Sequence, residues 1–148
     1  DAVARQLFYD RLLTDFADHP RTIILSSHLI DEVANLLEHV IVIDRGRIVM
    51  DDEVEAITGS AFAVAGKSTT VEEFVAGRPV LHREGLGALA SVTVDTPLSA
   101  DDRQRAQALG LELAPVSLQQ LIIRRTLKAN EHYGSHEENN EKDLEVLR

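Results

Sequence analysis

The segment Thr22-Ile23-Ile24-Leu25-Ser26 constrains the fold more than any other part of this sequence. It is short, β-branched and apolar, with no alternation of polar and apolar positions. That pattern suits a strand buried on both faces, as in a parallel sheet covered by helices. The flanking residues agree. Residues 2–17 place Phe8, Tyr9, Leu12, Leu13 and Phe16 at helical spacing, which predicts a core-facing stripe. His19-Pro20 ends that helix, because the residue before proline is pushed out of the helical region. A second helix is predicted over about 29–38, with Asp31 and Glu32 in its first turn complementing the dipole. Val40–Ile43 and Ile48–Met50 then read as two strands around Asp44-Arg45-Gly46-Arg47, with a short acidic helix at about 52–58. Helix, strand, helix, strand is the rhythm of an α/β layer fold.

The rhythm changes after Gly59-Ser60. Ala61–Ala65 predicts a strand, and Thr69 with Glu72 predicts a capped helix stopped at Gly77. Pro79–His82 and Leu89–Val94 predict two strands around Gly85-Leu86-Gly87. Ser99 with Asp102 opens a helix that Gly110 ends, Leu111–Ala114 is a last strand, and Ser117 caps a final helix through about Leu127. The order β-α-β-β-α-β is the split-βαβ, ferredoxin-like arrangement. Residues 128–148 have few side chains to bury and read as a disordered acidic tail. Three regions follow: 1–59, 60–127 and 128–148.

Charge shifts at the same places. Residues 1–59 hold 12 acids against 5 bases, residues 60–127 hold 7 of each, and residues 128–148 hold 6 acids against 3 bases. The overall net charge of −10 argues against nucleic-acid binding, which needs clustered cations to neutralise phosphate. No apolar run approaches the roughly 18 residues of a membrane span. There is no cysteine, so disulfides and cysteine metal sites are excluded. The chain opens at Asp1 without the basic lead and apolar run of a signal peptide, which suggests a longer parent.

The chemistry-bearing stretch runs from Thr22 to Met50. An apolar strand leads into Ser26-Ser27-His28 and Leu29-Ile30-Asp31-Glu32-Val33. After a helix comes Val40-Ile41-Val42-Ile43-Asp44-Arg45-Gly46-Arg47-Ile48-Val49. A histidine at the end of a parallel strand stands where α/β sheets bind ligands. Its imidazole can hydrogen-bond a phosphate or orient a water. Taken alone, a Ser-Ser-His is more simply a surface loop.

The combination of this loop, the following helix and the hairpin resembles the end of the nucleotide-binding domain of ABC transporter ATPases. The resemblance implies that His28 is the switch histidine of the H-loop, the catalytic residue that contacts nucleotide. It also implies that Asp1 is the last residue of the D-loop, a second nucleotide-site residue, although as a helix N-cap an aspartate there needs no such role. It further implies ATP and Mg²⁺ in the intact parent, a membrane permease and a second ATPase subunit as partners, and a peripheral position on the inner face of the cell membrane. Pro115-Val116-Ser117-Leu118-Gln119-Gln120-Leu121-Ile122-Ile123-Arg124-Arg125-Thr126 resembles the closing segment of drug- and antibiotic-export ATPases, which carry a small C-terminal domain. The acidic and aromatic positions of that segment differ here.

Several motifs are missing. There is no G-x-x-x-x-G-K-[ST], no Walker B Asp-Glu and no ABC signature. Gly66-Lys67-Ser68 lacks the first glycine, since Ala61 stands five positions earlier, and reads as a turn before the Thr69 helix. This chain alone is therefore not expected to hold Mg-ATP. The rival reading is a non-catalytic regulatory or dimerisation module built on residues 60–127. An α/β hydrolase is excluded for want of G-x-S-x-G or cysteine. Arg103, Arg105, Arg124 and Arg125 read as solvated helix faces before a basic patch. His132 and His136 read as solvated tail residues before a metal pair, and no metal site is expected.

Overall fold

The computed structural model describes residues 2–130. The chain divides into two units between Leu36 and Leu37, and each is described by itself. The expected boundary at Gly59-Ser60 lies inside the second unit.

The first unit holds α1 (Ala2–Asp18) and α2 (Ile30–Val33), the latter continued by a 3-10 turn over Ala34–Leu36. The predicted helix over 29–38 is therefore a shorter pair of turns. Helix α1 carries the expected apolar stripe but buries none of its residues. Leu7, Phe8, Leu13 and Phe16 are all exposed. Residues 22–26 are a larger departure. They have no strand structure, and Ile24 is 91% exposed. A strand is stable only through hydrogen bonds to a neighbour and, for a run this apolar, cover on both faces. No described segment lies beside residues 22–26 as a strand, so the expected parallel strand does not form. Both sheets among the described residues are antiparallel.

The second unit begins with a hairpin of β1 (His39–Asp44) and β2 (Arg47–Glu53), followed by α3 (Val54–Thr58). The two-residue loop closes on the Asp44–Arg47 pair. Arg45 has φ 48° and Gly46 φ 75°, the signs a type I′ turn requires to match the strand twist. A bulge between Val42 and Ile43 shifts the register. Val40 and Met50 are buried, while Ile41, Ile43 and Ile48 remain exposed.

A four-stranded sheet follows, from β3 (Phe62–Lys67), β4 (Val80–Leu86), β5 (Leu89–Val94) and β6 (Glu112–Pro115), in the order β4-β5-β3-β6. Helix α4 (Ser68–Val75) sits between β3 and β4 in the chain, and α5 (Ala100–Ala108) between β5 and β6. Phe62, Val64, Val92 and Val94 line one face and pack with Val71, Phe74 and Val75 of α4 and Ala106 of α5. Phe62 meets Phe74 edge to face, with centroids 6.5 Å apart, the arrangement the ring quadrupoles favour. Full burial of a side chain such as Phe74 stabilises by about 1.5–3 kcal/mol.

Local signals explain both ends of α5. Ser99 and Asp102 form a complete capping box. At the other end of α5, the Leu111 N–H donates to the Ala106 carbonyl and the Gly110 N–H to that of Gln107. That is the Schellman pattern, with Gly110 at φ 67° in the left-handed region. The Thr69–Glu72 capping box does not form. Strand β3 runs directly into α4, whose N-cap is Lys67 with no side-chain cap bond. Residues 118–130 form α6, capped by Ser117, whose Oγ accepts from the Gln120 N–H at 3.2 Å. This helix runs beyond the expected end at Leu127. The rest of the predicted tail, with His132 and His136, lies outside the described residues.

The second face of the sheet is built differently. Glu84 pairs with Ser91, Ser91 with Ala65, and Ala65 with Glu112. Direct partners across antiparallel strands share a face. These four therefore stand in one row, with a carboxylate on each edge strand and small side chains between.

Candidate functional site

The loop that carries His28 is built by short-range contacts in the first unit. Ser27 Oγ accepts from the Leu29 N–H at 3.0 Å, and the Glu32 N–H donates to the Leu29 carbonyl at 3.2 Å. These turn the chain into α2. Arg5 of α1 bonds Glu32 of α2, Nε to Oε2 at 2.9 Å and Nη2 to Oε1 at 3.0 Å. Near the end of α1, Asp15 pairs with Arg21. His28 itself lies in a bend and is exposed. No described residue hydrogen-bonds its ring or forms an ion pair with it. The imidazole is thus held at the mouth of α2 by its backbone alone, available as a donor or an acceptor.

Asp1 lies outside the described residues, so no geometry joins it to His28. Among the described residues no group of three or more His, Cys, Asp or Glu side chains is placed to hold a metal ion. No described helix is long and apolar enough to cross a membrane.

Gly66-Lys67-Ser68 has a structural role. Gly66 packs on Leu111: a Cβ there would meet Leu111 Cδ2 at 2.5 Å. The Ser68 N–H donates to the Ala88 carbonyl at 2.9 Å. The backbone here is committed to the sheet and to α4 and makes no phosphate cradle.

The chain matches no known family model, and no curated protein is significantly similar to it.

The arginines do not form one patch. Arg125 Nη2 donates to Asp95 Oδ1 at 2.8 Å and to Ser60 Oγ at 2.6 Å, which ties α6 to the ends of β3 and β5. Arg105 and Arg78 lie over the Phe74 ring, with guanidinium carbons 5.2 Å and 4.9 Å from its centroid. Arg78 also pairs with Asp102, a buried acid. The Arg78 hydrogen bond lowers the Asp102 pKa from 3.8 to about 2, against the opposing effect of burial and with help from Ser99. The Ser99–Asp102 cap is legible in the sequence. Its arginine partner, 24 residues away, carries no local signal.

Proposed function

We propose that this chain is the C-terminal part of the ATP-binding subunit of an ABC-type transporter, with residues 60–127 forming a small ferredoxin-like accessory domain. One observation supports the reading most. The exposed His28 follows Ser26-Ser27 and is succeeded by a short helical segment and then by a tight hairpin turned on Asp44-Arg45-Gly46-Arg47. In this reading His28 is the switch histidine, which hydrogen-bonds the terminal phosphate of ATP. Asp1 helps couple two such subunits across the nucleotide. The dimer works on a membrane permease from the cytoplasmic side and powers export.

The residues present do not fit Mg-ATP by themselves. The phosphate loop and Walker B carboxylates are absent from the sequence, and Gly66-Lys67-Ser68 is occupied by sheet packing. Nucleotide is therefore held by parts of the subunit other than this chain. Two measurements test the reading. Calorimetric titration of the chain with Mg-ATP is expected to give no micromolar binding. In the whole ATPase subunit, His28→Ala is expected to slow single-turnover hydrolysis by about 100-fold. Unchanged hydrolysis in that variant would overturn the assignment.

A second reading is a regulatory or dimerisation module. It is favoured by the core of Phe62, Val64, Val71, Phe74, Val92 and Val94, contributed by strands of the four-stranded sheet and by α4. A cooperative melting transition for residues 60–127 alone, together with dimerisation in sedimentation, would support that reading.

A further inference from the structure

We infer that the second face of the four-stranded sheet is a binding site for a small organic cation with an apolar body, such as an arylalkyl amine. The inference is independent of the transporter reading. It rests on a trough of about 620 Å³ in this face, within the size range of small-molecule sites. Ala65 and Ser91 form its floor, Leu86 and Leu89 one wall, and Glu84 and Glu112 line it on opposite edge strands.

The trough arises from the register of the sheet. Ala65 on β3 and Ser91 on β5 are direct partners, and neither has the bulk to fill the central strands. The backbones of Gly66, Gly85 and Gly110 also line it. Leu86 and Leu89 are paired across the Gly87 turn. They are 83% and 55% exposed and together give the trough an adjacent pair of apolar side chains.

Charge complementarity selects the occupant. Glu84 and Glu112 are separated by three strand spacings, roughly 14 Å between backbones, and their side chains can reach inward over the floor. Glu112 has no ion-pair partner among the described residues. Glu84 Oε1 is 3.9 Å from His82 Nε2, too far for a hydrogen bond, and that nitrogen is buried without a partner. The trough thus offers an apolar surface rimmed by two carboxylates that no described side chain hydrogen-bonds. A protonated amine on an apolar body meets both demands. A neutral ligand leaves the carboxylates idle, and an anion is repelled.

The test uses the full 148-residue chain and methyl NMR of Ala65, Leu86 and Leu89. Phenylpropylamine is titrated beside its neutral and anionic counterparts, phenylpropanol and phenylpropionate. The expected result is saturable shifts of these methyls with the amine, affinity for the alcohol at least about fivefold weaker, and no saturable shift with the carboxylate. The Glu84→Gln/Glu112→Gln double variant is expected to weaken the amine about fivefold and leave the alcohol unchanged. Both positions are exposed, so the variant keeps the fold. Equal affinity for amine and alcohol would overturn the proposal, as would an unaffected double variant. So would shifts of the same methyls on raising protein concentration alone, which would assign the trough to a second copy of the chain.

Discussion

The Asp102 carboxylate is shared between two structures: Oδ1 accepts from the Arg78 guanidinium, and Oδ2 accepts from the backbone N–H and hydroxyl of Ser99 at 3.1 and 2.8 Å. One acid therefore caps α5 and holds the loop after α4 to it. Because the Asp102 pKa lies near 2 in the fold and at 3.8 without these partners, its stabilisation is fully present above pH 4. It is lost as pH falls through the folded value. Asp102→Asn is expected to lower stability by about 2 kcal/mol at neutral pH and to remove most of the loss of stability between pH 4 and 2. Urea unfolding at a series of pH values checks both.

Arg125 is the anchor of α6. Its bonds to Asp95 and Ser60 are three-quarters shielded from solvent. Arg125→Met keeps the stem and removes the charge, leaving Asp95 without its cation. A loss of about 1–2 kcal/mol is expected, together with faster amide exchange along residues 118–130 than in the sheet. Equal changes throughout the unit would show that α6 is not separately anchored.

The β1–β2 turn carries a removable cost. Arg45 sits at φ 48°, where a long side chain is less at ease than asparagine. Arg45→Asn is expected to stabilise the hairpin by about 0.5 kcal/mol. Slower amide exchange at Ile43 and Ile48 is the readout. A destabilised hairpin would mean that the Arg45 side chain makes contacts that outweigh its backbone preference.

Residues 22–26 have no strand partner, so their amides are expected to exchange at near-unprotected rates in this chain. Strong protection across Ile23–Leu25 would show that the segment pairs in solution.

What the sequence determined by itself is local. The Ser99–Asp102 box, the Ser117 cap, the stop at Gly110 and the turn at Gly46 each depend on a few neighbouring residues, so their chemistry can be read in order along the chain. The alternation of Val92 and Val94 with polar neighbours marks the face of β5 that meets the core. The element order of residues 62–115 follows from such signals. Tertiary structure decided the rest. Thr22–Ser26 has the composition of a buried strand, but a strand exists only in pairing, and apolar side chains cannot specify a neighbour. The stripe on α1 is likewise an ability to bury rather than burial. Its exposed Phe8 and Leu13 illustrate the difference. Arg78 reaches Asp102, and Arg125 reaches Asp95, across 24 and 30 residues. Glu84, Ser91, Ala65 and Glu112 stand in one row because three strand registers place them there. A shift of one residue in any of those pairings would turn a side chain to the other face, and no local motif encodes the row.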